Sequence, residues 1–258
     1  MIAEARRREI AERLHAAGTV SVAEVETLFG VSPMTARRDL AELERRGVLR
    51  RTHGGAVLPQ HAAHEDSFAR RLEVASAAKR RLAEAALDVL TPGETVYLDS
   101  STTSYFVALR LVESGVSATV LTNSLPIMEL VFEQGGPGVD LIGVGGTFRR
   151  LTRSFVGPFA VSTIRGHVAD RLFLSVKGVS RNGALTDPDP LEAEVKRAMI
   201  EQSGEATLLI DGSKLSDRGL SVIAPLRELT GVVADGITPE QRRWLQARGG
   251  SLRALTGG

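Results

Sequence analysis

Six short apolar runs, separated by amphipathic stretches long enough for helices, constrain this 258-residue chain more than any other feature. The runs at 95–98, 119–122, 140–144, 171–176, 206–210 and 231–234 read as strands. The stretches at 104–114, 126–134, 158–165, 192–203 and 239–248 read as helices. This alternation predicts parallel β-α units around a buried sheet. Nothing of the kind occurs before residue 90, where three helix-like segments and a short hairpin come first. A chain of this length suggests two domains at about 150 residues each. The break falls at LPQHAAHEDS, residues 58–67, where hydrophobic periodicity stops. The expected organisation is a first domain over 1–58, a linker over 59–74 leading into a connecting helix at 68–90, and a second domain over 75–258.

Composition removes several alternatives. The chain contains no cysteine, which excludes disulfide frameworks, Cys-ligated zinc, iron–sulfur clusters and thiol nucleophiles. The lone histidines His64 and His167 lack metal-ligand spacing, so no metal site and no cofactor are expected. No apolar run approaches the roughly 20 residues that cross a bilayer. The N-terminus alternates charges and lacks the apolar core of a signal peptide, so a cytoplasmic protein without a membrane partner is expected. The overall charge is +1, yet residues 33–53 hold six arginines against three acids. A locally positive segment on a neutral body suits an anionic partner, although a solvated helix surface looks the same.

That segment has a readable shape. Ile10 and Leu14 lie one turn apart in a helix over about 3–17, stopped by Gly18. Ser21 caps a second helix over 22–29, with Glu24 completing a capping box and Val22, Val25, Leu28 and Phe29 as its buried face. After the turn Phe29-Gly30-Val31-Ser32, a third helix begins on Pro33. Two helices so joined make a helix-turn-helix. On the third helix Ala36, Leu40 and Leu43 form the inward stripe. Met34, Arg38 and Arg45 lie opposite, with Thr35, Arg37 and Glu42 flanking them. Arginine near the start of an outward face is what major-groove reading needs. Asp39, at the core edge, is expected to orient an arginine. Residues 48–58 then form a hairpin around Gly54-Gly55, with Arg50, Arg51 and His53 placed to meet the DNA backbone or minor groove. A helical protein-interaction module would share the helix pattern.

The segment resembles the DeoR family of bacterial transcription regulators. Arg6, Ile10 and Leu14 are followed after 17 residues by Ser32, Thr35, Ala36, Arg37, Arg38, Asp39 and Leu40, the family's spacing. The resemblance implies a winged helix-turn-helix that binds a double-stranded DNA operator. The contact set expected is Ser32, Met34, Thr35, Arg37, Arg38 and Arg45 on the reading helix, with Arg50, Arg51 and His53 on the wing.

In the second module the strand at 95–98 runs into Asp99-Ser100-Ser101-Thr102-Thr103-Ser104 and then a helix. Hydroxyls and free N–H groups at a helix N-terminus form a ready anion site, and strand carboxyl ends are where open α/β sheets bind ligands. A plain run of Ser and Thr N-caps would look similar. Further polar loops end other strands: Thr122-Asn123-Ser124, Gly145-Gly146-Thr147, Lys177-Gly178 and Asp211-Gly212-Ser213-Lys214. In a parallel sheet they converge on one edge. Lys177 and Lys214 then suit a phosphate, Asp99 and Asn123 suit sugar hydroxyls, and the glycines let backbone approach a ligand. The chain contains neither a dinucleotide fingerprint nor a Walker A motif.

This module also resembles the DeoR-family effector domain, through LDSSTTS, VLTNS, LIGVGGTFR, FVGP, LTDPDPLEAEVKRAM and LIDGSKL. The resemblance implies a Rossmann-like, mostly parallel α/β domain related to ribose-5-phosphate isomerase and holding a phosphorylated sugar. Ser101, Thr102 and Thr103 would hold phosphate. Asp99, Thr122, Asn123, Gly145, Gly146, Lys177 and Lys214 would line the remaining pocket, with Glu194 and Lys196 in support. A sugar-phosphate isomerase is the competing reading. Its relatives carry a paired-carboxylate segment that this chain lacks, and residues 174–180 are carboxylate-free. The expectation is therefore a non-enzymatic repressor released from DNA by a phosphorylated sugar. Two-fold operators further imply a homo-oligomer, dimer or tetramer, assembled through the second domain.

Overall fold

A computed structural model describes residues 3–17, 19–46, 48–52, 55–57, 66–249 and 251–255. The chain divides into two compact units, Met1–His64 and Glu65–Gly258. In the first, α1 (Ala3–Ala17), β1 (Thr19–Ser21), α2 (Val22–Phe29) and α3 (Pro33–Arg45) precede β2 (Arg50–Thr52) and β3 (Gly55–Val57). The capping box forms: the Glu24 amide donates to Ser21 Oγ at 3.1 Å and the Ser21 amide to Glu24 Oε2 at 2.6 Å. Gly30 then closes α2 in the left-handed region at φ 61°.

Ile10, Leu14, Val25, Ala36, Leu40 and Leu43 share a core with Val20, Leu49 and Ala56. Leu28, expected inside, is 45% exposed: one turn of α2 beyond Val25, it overshoots the small core. The wing has three antiparallel strands in the order β1-β3-β2. At Gly55 the strands approach so closely that a Cβ would stand 2.2 Å from the Val20 carbonyl oxygen. β1 was not expected, because a three-residue strand is stabilised by pairing with β3 and not by its own pattern.

The second unit opens with α4 (Phe68–Glu73) and α5 (Ser76–Leu87). The single connecting helix expected at 68–90 is thus broken, with Ala75 left-handed at φ 53°. The break is held by Lys79, whose Nζ donates to the carbonyls of Arg71 and Val74. α4 is part of this unit and not of a linker, since the Phe68 amide donates to the Leu151 carbonyl at 2.9 Å and its ring meets Tyr105 edge-on.

Then come β4 (Thr95–Leu98), α6 (Thr102–Ser114), β5 (Ala118–Thr122), α7 (Leu125–Gln134), β6 (Val139–Gly143), β7 (Thr147–Arg149) and β8 (Ser154–Val156). These are followed by α8 (Pro158–Arg165), β9 (Ala169–Leu174), β10 (Gly178–Val179), β11 (Ala184–Asp187), α9 (Pro190–Glu201) and β12 (Ser203–Asp211). β13 (Ser221–Pro225), β14 (Gly231–Asp235), α10 (Pro239–Gln246) and β15 (Ser251–Leu255) complete the unit. Seven strands form one sheet in the order β15-β14-β12-β9-β4-β5-β6, every pair parallel. Six were expected; β15 is an edge strand, exposed or half-buried throughout, whose SLRAL is interrupted by Ser251 and Arg253 and which pairs, among the described residues, with β14. Two small antiparallel sheets, β10-β11-β13 and β7-β8, were also missed.

Alternation along each buried strand divides the core between the sheet's two faces. Val96, Leu98, Phe173, Leu209 and Val233 pack under α5, α6 and α7. Tyr97, Leu172, Leu174, Leu208, Ile210 and Val232 pack under α8, α9 and α10. The result is a three-layer α/β domain. Strand order runs outward in opposite directions from β4 and β9, so the sheet's switch point lies between them. Crevices at the carboxyl ends of such strands are where open α/β sheets take ligands.

Candidate functional site

The face expected to read DNA is built on α3. Ser32 Oγ accepts from the Thr35 amide at 3.3 Å and lies 3.0 Å from Thr35 Oγ1. Arg37 and Arg38 are exposed and have no ion-pair partner among the described residues, and Met34 is 75% exposed beside them. Arg45, also expected to read DNA, is bound to Glu42 at 2.7 and 2.9 Å. Arg45, then Arg46, holds the Glu42 carboxyl down at about 2.

Behind this face Asp39 is buried and accepts from Arg6 Nε at 2.6 Å and Arg7 Nε at 2.8 Å. The arginines it orients therefore belong to α1. The backbones of Arg50 and Arg51 lie in β2, but their side chains, and His53 altogether, fall outside the described residues.

The second cluster sits at the switch point. Asp99, expected to meet sugar hydroxyls, instead turns wholly inward. It accepts from Ser101 N (3.1 Å), Ser101 Oγ (2.6 Å), Ser104 Oγ and the Ser175 amide (3.2 Å), with Lys196 Nζ at 3.3 Å. Fully buried and so saturated, the carboxylate shapes the loop. Against the pull of burial, Asp187 first and then Asp99 and Glu192 keep the Lys196 ammonium charged and raise its pKa. The Ser101 hydroxyl is likewise committed, since it also caps α6 by accepting from the Ser104 amide. The groups left at the α6 N-terminus among the described residues are the Thr103 hydroxyl, the lone pairs of Thr102 Oγ1, and the amides of Thr102 and Thr103, which have no intrahelical acceptor.

The other expected residues come from the strand ends around this loop, except Lys196 and Glu194 on α9, the latter facing α8 beside Val161 and Arg165. Thr122 Oγ1 accepts from the Ser124 amide at 3.1 Å, and Asn123 Nδ2 donates to the Phe155 carbonyl at 2.9 Å. Asn123 Oδ1 and Ser124 Oγ are buried without a hydrogen-bond partner among the described residues, an unmet polar demand of the kind a ligand satisfies. Gly145 and Gly146 are exposed in the loop after β6, and a Cβ on Gly146 would stand 2.7 Å from the Val156 carbonyl oxygen. Lys177 pairs with Asp217 at 2.9 Å. Lys214 rides on the turn Gly212–Leu215, which Asp211 caps. Glu194 is exposed on α9, while Lys196 belongs to the buried network beneath the loop.

Two cations were missed. Burial, then Lys214 and Arg71, push the Lys79 ammonium down to about 8. Burial lowers Lys214 too, against Asp211, with Lys177 and Arg71 adding to the effect. Arg71 itself reaches the hydroxyl loop, where Thr102 Oγ1 donates to its carbonyl at 3.4 Å. A signal for Lys79 was present, a lysine on the same buried stripe of α5 as Leu82, Ala83 and Ala86. Four mutually repelling cations, Lys79, Lys177, Lys214 and Arg71, thus share a neighbourhood in which the Arg71 backbone touches a hydroxyl-bearing helix N-terminus, a setting that attracts a multiply charged anion. Among the described residues no group of His, Asp and Glu is placed to hold a metal ion.

Residues 6–62 match the DeoR-like helix-turn-helix domain family and residues 74–236 the DeoR C terminal sensor domain family. The chain is 31% identical to a lactose phosphotransferase system repressor of Staphylococcus epidermidis, covering 93% of this chain and 94% of that one. It is 33% identical to an L-fucose operon activator of Haemophilus influenzae, covering 86% and 88% respectively. Among solved structures, ribose 5-phosphate isomerase A of Methanocaldococcus jannaschii aligns at a TM-score of 0.39 and 14% identity, over 54% of each chain. That likeness is too slight to bear on ligand or chemistry.

Proposed function

The chain belongs to the DeoR family of transcriptional regulators, and from that premise we propose that it represses a carbohydrate operon and leaves its operator when a phosphorylated sugar occupies the second unit. The observation that carries this reading is the pairing of two sites in one chain. One is an exposed Arg37–Arg38 face on a capped helix locked from behind by Asp39. The other is a cationic, hydroxyl-bearing cluster at the sheet's switch point. The relatives named above serve sugar systems, one as repressor and one as activator, so the family premise leaves the sign of regulation open. Repression follows where the operator overlaps the promoter.

The phosphate half of the crevice is assigned to Thr102, Thr103 and Lys214, and the sugar half to Asn123, Thr122 and the loop bearing Gly145 and Gly146. Met34, Thr35, Arg37 and Arg38 are assigned to base edges and phosphates of the major groove, and the wing to the flanking backbone. An isomerase needs a carboxylate poised against a substrate carbon. Asp99 is saturated by its own loop, and Asp211 accepts from the Ser213 amide at 2.9 Å, which favours binding over turnover. A regulator of this kind works in the cytoplasm, and no helix among the described residues is long and apolar enough to cross a membrane.

The test is titration of the purified chain onto DNA from upstream of its own gene, with and without a panel of sugars and sugar phosphates. Release by phosphorylated sugars alone, without their consumption, is expected. Consumption of a sugar phosphate, or indifference to all of them, would defeat the proposal. Light scattering in the same buffer should give a dimer or tetramer, and a monomer bound to full operator would remove the two-fold reading.

A further inference from the structure

We propose that Arg71 is a phosphate ligand of the effector crevice, and that through it the bound phosphate fastens α4, the first helix of the second unit. This inference rests on the reading that the crevice takes a phosphorylated ligand, and adds to it the residue that carries occupancy to the segment entering the unit.

The argument begins with an unsatisfied charge. Arg71 Nε and Nη2 are sealed from solvent and have no hydrogen-bond partner among the described residues. Buried guanidinium donors are costly unless an acceptor meets them, and two adjacent N–H groups in one plane match two oxygens of a phosphate. The position agrees with the chemistry. The Arg71 carbonyl accepts from Thr102 Oγ1, at the N-terminus of α6, and from Lys79 Nζ at the start of α5. Its positive charge acts on both Lys79 and Lys214. Asp211 and Asp217 are the acids felt at Lys214, but they cap a turn and pair with Lys177, leaving the guanidinium unmatched. A dianionic phosphate meets this deficit; a neutral sugar cannot.

The attachment of α4 gives the contact its consequence. This six-residue helix is held by the Phe68 amide on Leu151, the Phe68 ring on Tyr105, and the two hydrogen bonds to the Arg71 carbonyl. A phosphate bridging Arg71 to the Thr102–Thr103 turn adds a charged tether to a short element otherwise held by the buried Phe68, the packing of Leu72 and these few hydrogen bonds. Every phosphorylated sugar offers this tether whatever its hydroxyl stereochemistry. Coupling is thereby assigned to the phosphate, and discrimination among sugars to the loops after β5 and β6.

The experiment uses the full chain and inorganic phosphate as probe, with Arg71→Gln, Arg71→Lys and Thr102→Val beside the wild type. Thermal shift reads binding, and hydrogen exchange of residues 68–73 reads tethering. Wild type should gain stability and α4 protection with phosphate. Arg71→Gln should bind about 10- to 100-fold more weakly and show no gain of protection. Arg71→Lys, which keeps charge without the fork, should fall between, and it carries the test should Arg71→Gln misfold. Phosphate binding lost in Thr102→Val but unchanged in both Arg71 variants would overturn the inference and leave the crevice standing. No phosphate response in the wild type would overturn the crevice and the inference together.

Discussion

Replacing Asp39 with alanine should unfold the first unit while sparing the second. The carboxylate is 2% exposed and accepts from Arg6 Nε at 2.6 Å and Arg7 Nε at 2.8 Å, tying α1 to the back of α3. Arg6 is itself 9% exposed along its side chain, so the pair is buried on both sides. Removing one partner of such a pair costs about 3–5 kcal/mol, chiefly because the other charge stays where water cannot reach it. At 0.05–0.15 kcal/mol per residue, a unit of this size has roughly 3–10 kcal/mol in total. The substitution therefore removes from a third to all of its stability. Asp39→Asn keeps the shape and one acceptor and should cost about 1–2 kcal/mol. The assay is amide exchange on the full chain, with fluorescence of Trp244, the only tryptophan and part of the second unit, as internal control. In Asp39→Ala, amides of α1 and α3 should exchange at least about 100-fold faster, the equivalent of 3 kcal/mol. The Trp244 unfolding transition should not move. Acceleration of less than about fivefold would show that the buried pair is not what holds the reading helix, and the reasoning would fail.

Arg38→Ala should weaken specific operator binding by about 1–3 kcal/mol and leave the phosphate thermal shift intact; loss of both in a mobility and melting series would indicate misfolding instead. Thr102→Val and Lys214→Ala should bind operator normally but stop responding to inducer, and retained release in either would remove that residue from the pocket. Lys79 has a pKa pushed down to about 8 by burial, Lys214 and Arg71, and an anion placed beside it should pull that value back up. Phosphate binding should then take up protons above pH 8 and weaken as pH rises further, which calorimetry in two buffers of different ionisation heat would reveal; equal heats in both would refute the coupling. The sign for stability is the reverse: the ammonium is disfavoured in the fold, so the unliganded chain should gain stability as pH rises from about 8 toward the ordinary lysine range, measured as the melting temperature of the second unit.

Much of the first unit was legible because its signals are local. Ser21 with Glu24, Gly30, and Ser32 with Pro33 mark helix ends through groups within four residues, and the structure uses each as a helix boundary. The six apolar strands of the large sheet were legible for a similar reason, since each is a short, mostly apolar run whose signal lies within itself, even at the edge strand β6, none of whose residues is buried. What was missed depends on partners distant in sequence. β1 exists through β3, and β15 through β14. The break between α4 and α5 contains neither glycine nor proline and depends on Lys79 reaching back to two carbonyls. In the crevice the hydroxyl cluster was visible, but the inward turn of Asp99 was not. It requires Ser175 and Lys196, delivered by β9 and α9 from more than 70 residues away. Leu28 has the right helical phase and still lies outside, because phase says nothing about how far a small core extends.

The saturated Asp99 carboxylate has a consequence for how such a regulator changes its chemistry over time. A loop organised by its own buried acid does not wait for a ligand to give it form, so a bound phosphate pays little ordering entropy there. On the proposed reading, the recognition of phosphate is thereby insulated from the recognition of the sugar, whose expected contacts lie on separate loops after β5 and β6. Substitutions at those loops can exchange one sugar for another without rebuilding the anchor, and a sensor arranged in this way is retargeted by small steps, each of which leaves a working protein.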